Sequence, residues 1–355
     1  MRRRTIACAA AALLLAAVSP LPWAAGGTGG AGGGTAGAGT GTGIAVGGAA
    51  GANGAAGSVS PSIVVSETAD SLVCRDADGN AVPLKKRPQR VIVNYTSLIG
   101  IWYAAGGTAV AMPDTQDMTE VPPAARGIAT TGKTTAPNVE RILSLSPDLV
   151  ILASAMTPQR AVADILKENG IQCILLRYET FDDYIGVLDL FLRLNGKSLS
   201  SDPNAVSIVR GVDATVGKSV TLPPLRFLSL FASVREVQAE TSRAHTAFIA
   251  SALGGRNIVA SGGPQSPLRV RLSMERITME DPDVIFVTTM GDQPKVQARM
   301  KEDFMASDAW KGLRAVKSGR VYFLPNDLFF YKPNERFPEA YRYLAAILHP
   351  GETWK

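Results

Sequence analysis

Two stretches far apart in this chain carry nearly the same local sequence. Residues 139–151 read Val-Glu-Arg-Ile-Leu-Ser-Leu-Ser-Pro-Asp-Leu-Val-Ile, and residues 274–285 read Met-Glu-Arg-Ile-Thr-Met-Glu-Asp-Pro-Asp-Val-Ile. In both, Glu-Arg-Ile opens a short amphipathic helix, Pro-Asp breaks it, and an apolar strand follows. Glu140 precedes Pro147, and Glu275 precedes Pro282, by the same seven residues. A repeat of this kind constrains the fold to two similar lobes, each showing a Glu at an equivalent place. A two-fold symmetric partner can read such a pair.

Not all 355 residues belong to that fold. Arg2, Arg3 and Arg4 precede an apolar run, Thr5 to Val18, and small residues follow at Ala24, Ala25 and Gly26. This is the pattern of a secretory signal peptide, residues 1–25, cleaved near Ala25. The run is too short to cross a bilayer. A lipid anchor would need a Cys just after it, and Cys8 lies at its other end, so no lipidation is expected. Residues 26–60 hold 16 of the 35 glycines among Ala, Thr and Ser. They cannot bury enough apolar surface to offset their ordering entropy and read as a disordered tether. The formal net charge is +5, three units of it in the signal peptide. No Lys/Arg cluster with interleaved aromatics stands out, which argues against nucleic acid. Beyond the signal peptide only Cys74 and Cys173 remain, either a disulfide or two buried thiols.

The folded part has an α/β rhythm. Leu72 to Leu84 reads as a β-hairpin turning at Asp78-Gly79. Strands are expected at Arg90–Asn94, Asp148–Ala153 and Ile171–Tyr178, with helices at Ser97–Ala105, Gln159–Asn169 and Phe181–Leu194. Asp202-Pro203 is an N-cap and N1 pair opening a helix between the halves. The second half continues with a strand Leu225–Phe231, a helix Thr246–Leu253, strands Val284–Thr288 and Arg320–Leu324, and helices Lys295–Met305 and Pro338–Leu348. Strands alternating with helices mean largely parallel sheets. The expected organisation is two similar lobes (61–200 and 220–355), each a mostly parallel sheet flanked by helices, joined by one long helix (201–219).

The hairpin with Arg90-Val91-Ile92-Val93, the twin repeats, Phe248 to Ile258 and Gly319-Arg320-Val321-Tyr322-Phe323-Leu324-Pro325 together resemble a known family. They are similar to the helical-backbone periplasmic binding proteins that serve ABC importers of ferric siderophores, haem and vitamin B12. The likeness covers about Ile63 to the C-terminus. It implies a monomeric protein with a ligand cleft between the lobes and a rigid helix across its back. It also implies that Glu140 and Glu275 dock on Arg residues of a transmembrane permease dimer, and that the cargo is a ferric siderophore, haem or cobalamin. Each Glu alone also reads as a solvated first-turn residue on its helix dipole; the matched pair favours docking. Little hinge motion is expected with a helix between the lobes.

Gly127-Ile128-Ala129-Thr130-Thr131-Gly132-Lys133-Thr134 matches a P-loop by letter, but Pro122-Pro123 before it and Pro137 after it deny it the strand-to-helix setting that phosphate binding needs. Lys133 is instead placed on the cleft, facing an anionic ligand. With only His245 and His349, a bare-metal site is not expected. His245 sits before a helix on the cleft side, either touching ligand or bonded to backbone. Arg235 and Arg243 offer bidentate recognition of carboxylates, or simply exposed charge. In Phe329 to Asn334 the aromatic run, with Tyr331, either covers a flat ligand or packs in the core. Tyr95, at a strand's C-terminal end, is better placed than Tyr103 to touch ligand or ligate haem iron. No arrangement for catalysis stands out. Asp182-Asp183 and Asp281/Asp283 read as caps or turn residues. An exported α/β enzyme and a tethered surface sensor remain the alternatives to a binding protein.

Overall fold

The computed structural model describes residues 62–115, 118, 121–259 and 266–354; the expected signal peptide and glycine-rich tether lie outside them. A three-stranded antiparallel sheet comes first, from β1 (Val64–Glu67), β2 (Ser71–Arg75) and β3 (Ala81–Lys85). Leu72 pairs with Leu84, as the hairpin pattern requires. The turn between β2 and β3 is pinned by Asp76, whose side chain accepts from the backbone N–H of Asp78 and of Asn80, each at 2.9 Å.

The first lobe's sheet contains β4 (Val91–Val93), β5 (Ala111–Asp114), β6 (Ala129–Lys133), β7 (Ala136–Pro137), β8 (Leu149–Ala153) and β9 (Cys173–Leu176), in the order β7-β6-β5-β4-β8-β9. All pairings are parallel except β6–β7. Side chains alternate across a strand, so a strand apolar at every position must be covered on both faces. Val91 and Val93 pack with Trp102 and Phe191 on one face, while Ile92 packs with Val162 and Leu166 on the other. Cys74 and Cys173 are two buried free thiols. Burial pushes the Cys74 thiol up to about 12, so it is not a thiolate at ordinary pH.

The second lobe repeats the plan. Its sheet contains β10 (Arg226–Ser233), β11 (Val237–Glu240), β12 (Arg256–Asn257), β13 (Arg269–Val270), β14 (Val284–Met290) and β15 (Val321–Phe323). The path is β13-β11-β10-β14-β15, with β12 beside β10. β10, β12, β14 and β15 run parallel, and β11 is antiparallel.

The twin segments are structural twins as well. Helices Val139–Ser144 and Met274–Glu280 are capped alike: Asn138 accepts from Arg141 N at 2.9 Å, and Ser273 from Arg276 N at 3.2 Å. The residue before each Pro takes positive φ, 45° at Ser146 and 41° at Asp281, and so turns the chain into the strand. The Asp after each Pro grips the neighbouring central strand. Asp148 accepts from Gln89 N and Arg90 N at 2.7 and 2.9 Å, and Asp283 accepts from Arg226 N at 2.8 Å. Pro-Asp therefore both ends the helix and registers the strand.

One helix, Pro203–Ser219, links the lobes. Its N-cap Asp202 accepts from Ala205 N at 3.0 Å. The closing helix Phe337–Leu348 lies along it, and Gly211 permits the approach: a Cβ there would sit 3.0 Å from Pro338. Each lobe has a cluster of its own on one face of its sheet, and a larger third cluster joins the lobes and the linker. A single cluster of buried residues runs from Val91 and Val93 in the first sheet, through Ile208 and Val212, to Phe227, Val284 and Phe286 in the second. At its centre Phe337 from the second lobe meets Phe181 at 5.0 Å and Tyr184 at 5.1 Å from the first, ring centre to ring centre, and Tyr341 meets Phe181 at 5.7 Å.

Phe337→Ala should destabilise the protein by about 3–5 kcal/mol, because the ring is fully buried and both lobes would line the void. Urea unfolding followed by tryptophan fluorescence measures this. A single transition shifted to lower urea is expected, and an unshifted midpoint would contradict the shared core.

Candidate functional site

In each lobe the parallel strands end on the same side, where α/β sheets build their ligand clefts, and the loops that follow carry the candidate residues. On the first lobe these loops hold Tyr95 after β4, Ser154 after β8, and Tyr178-Glu179 after β9. On the second they hold Arg235 after β10, Gly291 after β14, and the segment Asn326 to Asn334 after β15. That last segment crosses to the first lobe. Lys332 Nζ donates to both the backbone oxygen and the carboxylate of Glu179 at 3.1 Å, and lies 5.6 Å from the Tyr178 ring centre. Tyr178 OH donates to Asn334 Oδ1 at 2.7 Å, and Asn334 Nδ2 donates to Ser97 O at 3.3 Å. Asn334 holds φ at 50°, a left-handed conformation that Asn tolerates better than most residues. Lobe spacing is thus set at the loops as well as at the backbone helix.

The expected site residues fall into distinct groups. Tyr95 is half-buried, with extended backbone at the N-cap of helix Thr96–Ala104. Lys133 ends β6 and is exposed. The P-loop letters form strand β6 and its turn into β7, not a strand-to-helix loop, so the phosphate reading fails on geometry. Arg235 is exposed at the β10–β11 turn, and Arg243 is half-buried and donates to Ser266 O. Tyr331 stands edge-on against Phe330, ring centres 4.8 Å apart, and Phe330 stacks on Phe231 at 6.4 Å.

His245 is different. It is the first residue of helix His245–Ala252, one position earlier than expected, and is buried. Its Nε2 donates to Leu328 O at 3.0 Å, and its ring meets Phe337 at 5.6 Å and Phe329 at 6.3 Å. Burial, with the nearby Lys332 charge, pushes its pKa down to about 3. The structure therefore places it beneath the cleft wall, bonded to backbone. Packing decides this, because the aromatic seam covers the ring.

Three features escaped the sequence. Lys332–Glu179 and Asn334–Tyr178 join residues more than a lobe apart, and nothing local marks them. The third is Arg269, whose guanidinium lies 3.5 Å over the Phe231 ring while its Nε faces Glu240 Oε1 at 3.4 Å. Glu140 and Glu275 are exposed at the second position of their twin helices. Among the described residues no group of three or more His, Cys, Asp or Glu is gathered to hold a metal ion. Two open cavities, about 440 and 320 Å³, lie along the backbone helix near Asp202, Glu335 and Pro338, away from the strand ends. Ligand pockets of this architecture belong at the strand ends, so these back cavities are not taken as the site.

Comparison with known proteins agrees with this layout. The profile of the periplasmic binding protein family matches residues 91–328. The Fe(3+)-citrate-binding protein YfmC of Bacillus subtilis is 25% identical, over 74% of this chain and 81% of its own length. Among solved structures, S. aureus IsdE complexed with heme superposes with a TM-score of 0.63 at 16% identity, covering 73% of this chain and 98% of IsdE. The vitamin B12 binding protein BtuF of Vibrio cholerae gives 0.58 at 22% identity, covering 74% and 96%. Two further Bacillus subtilis relatives are named substrate-binding lipoproteins. No described helix is long and apolar enough to cross a membrane.

Because folded His245 titrates at about 3 against an ordinary 6.5, only the unfolded chain takes up its proton between those values. Stability should fall as pH falls through that window, with His245 contributing up to about 1.4 kcal/mol per pH unit. Denaturation midpoints of wild type and His245→Gln at pH 4 to 7 test this. The variant should show the shallower pH slope, and equal slopes would refute the assignment.

Proposed function

This chain belongs to the periplasmic binding protein family, and we propose that it captures a metal-bearing chelate between its lobes and delivers it to an ABC importer permease. Family members of this kind are binding proteins, not enzymes. The observation that carries the reading is the matched pair Glu140 and Glu275. Both are exposed, at the same position of helices whose N-termini are capped alike by a side chain, one on each lobe. A permease built from two like subunits would offer one Arg to each, in a charge-assisted contact on either side. The cargo reading rests on the walls: Tyr95 and Lys133 on one side, Arg235, Arg243 and Tyr331 on the other. It is supported by relatives whose names give ferric citrate, heme and vitamin B12 as their ligands. Ferric siderophore, haem and cobalamin are accordingly the cargo classes. Residues 1–25 act as the export signal, and the protein works outside the cytoplasmic membrane as a monomer. The cysteines are Cys8, Cys74 and Cys173, and none follows the apolar run closely, so export without lipidation is the reading despite the lipoprotein names of two relatives.

Purified protein mixed with haem, cobalamin or a ferric chelate should show the bound chromophore's absorption band and a raised melting midpoint with one class. Absence of both signals with all three would refute the cargo reading. Glu140→Ala/Glu275→Ala should abolish uptake into cells while leaving ligand affinity within about twofold. Uptake at the wild-type rate would remove the docking role.

A further inference from the structure

We propose that Arg269 is a specificity-determining residue of the cleft and that it selects a cargo bearing carboxylate groups; this rests on the solute-binding reading above. The case begins with how the side chain is held. On β13, Arg269 pairs with Glu240 of β11, and β11 in turn pairs with β10, so the three strands bring Arg269, Glu240 and Ser229 into one row. Glu240 is 3% exposed. Its Oε2 accepts from Ser229 Oγ at 2.7 Å, and its Oε1 faces Arg269 Nε at 3.4 Å. The Phe231 ring lies under the guanidinium at 3.5 Å. A buried carboxylate on one edge and an aromatic face below leave the guanidinium little orientational freedom. Yet the side chain remains 35% exposed. An arginine with these supports is a pre-oriented fork, and its two terminal nitrogens match a carboxylate.

Its location points to the cleft. Phe231 lies near the C-terminal end of β10 and stacks on Phe330. Phe330 adjoins Tyr331, and Lys332 then bridges to Glu179 of the first lobe. Arg269 is thus the second-lobe end of a chain of contacts that crosses between the lobes. Arg243 is close to the same edge, bonded to Ser266 O beside β13, and Arg235 stands at the β10–β11 turn. This wall thus carries three guanidiniums, of which Arg269 is held by Glu240 and Phe231, while Glu236 at the neighbouring turn pairs with Arg271. Ferric carboxylate chelates suit such a wall better than chelates without free carboxylates.

The test uses the full-length mature protein and two probes, ferric citrate and an uncharged ferric tris-hydroxamate. Affinity is measured by tryptophan quenching at two salt concentrations for wild type, Arg269→Lys and Arg269→Met. Wild type should prefer ferric citrate. Arg269→Met should weaken that binding at least tenfold and flatten its salt dependence, and Arg269→Lys should fall between, because it keeps charge without the fork. The melting midpoint of each ligand-free variant separates loss of fold from loss of contact. Ferric citrate binding unchanged in a folded Arg269→Met protein, or a wild type that binds only the hydroxamate, overturns this inference while leaving the solute-binding reading intact. A wild type that binds neither these probes, haem nor cobalamin overturns the cargo reading on which this inference rests.

Discussion

The interaction on which the rest depends is the aromatic seam between the lobes. Phe181 and Tyr184 on a first-lobe helix pack against Phe337 and Tyr341 on the closing helix, with His245 at the edge. Large rings that bury their whole surface against each other make a rigid junction. Each lobe keeps a cluster of its own, but the largest cluster spans both lobes and the linking helix, so the lobes do not meet through a loose linker alone. The Lys332–Glu179 bridge also ties the loops at the strand ends across the lobes. A packed junction of this kind opposes bending between the lobes.

The same rigidity gives meaning to the repeat. A matched pair of exposed carboxylates is useful to a two-fold partner only if their separation does not drift. Each Glu stands on a one- to two-turn helix that its own lobe fixes at both ends. An Asn or Ser caps the N-terminus, and the Pro-Asp turn anchors to the central strand through Asp148 or Asp283. Arg314 adds ion pairs to Asp281 and Asp283 on the second lobe. Local capping thus positions each Glu within its lobe, and the seam positions the lobes.

Much of the fold was legible because it is written in short-range rules. The hairpin at Asp78-Gly79, the Asp202-Pro203 helix start and the apolar strands that need cover on both faces all follow from local propensity and period. The twin segments showed two lobes because a repeated pattern is itself long-range information. The site was legible only in part. Tyr95 and Tyr331 could be placed at strand ends by counting elements. His245 could not be placed, since nothing around it in sequence reveals that Phe337 and Leu328 cover it. Arg269 was invisible for the opposite reason: a charged residue after a run of loop residues reads as solvated until Phe231 and Glu240 are known to lie beside it.

By itself, the sequence determined the alternation of strands and helices, the parallel character of the sheets, the linking helix and the equivalence of Glu140 with Glu275, but not strands such as β5, β6 and β11. The first three depend on neighbours within about a turn or a strand, where backbone sterics and hydrophobic period suffice, and the equivalence on the repeat. Only the tertiary structure decided which polar side chains are buried, as His245 is, and which charges cross between the lobes. Those outcomes depend on contacts between segments far apart in the chain, such as Lys332 with Glu179. Burial and pairing at that range are set by how whole lobes pack, and no local pattern encodes them.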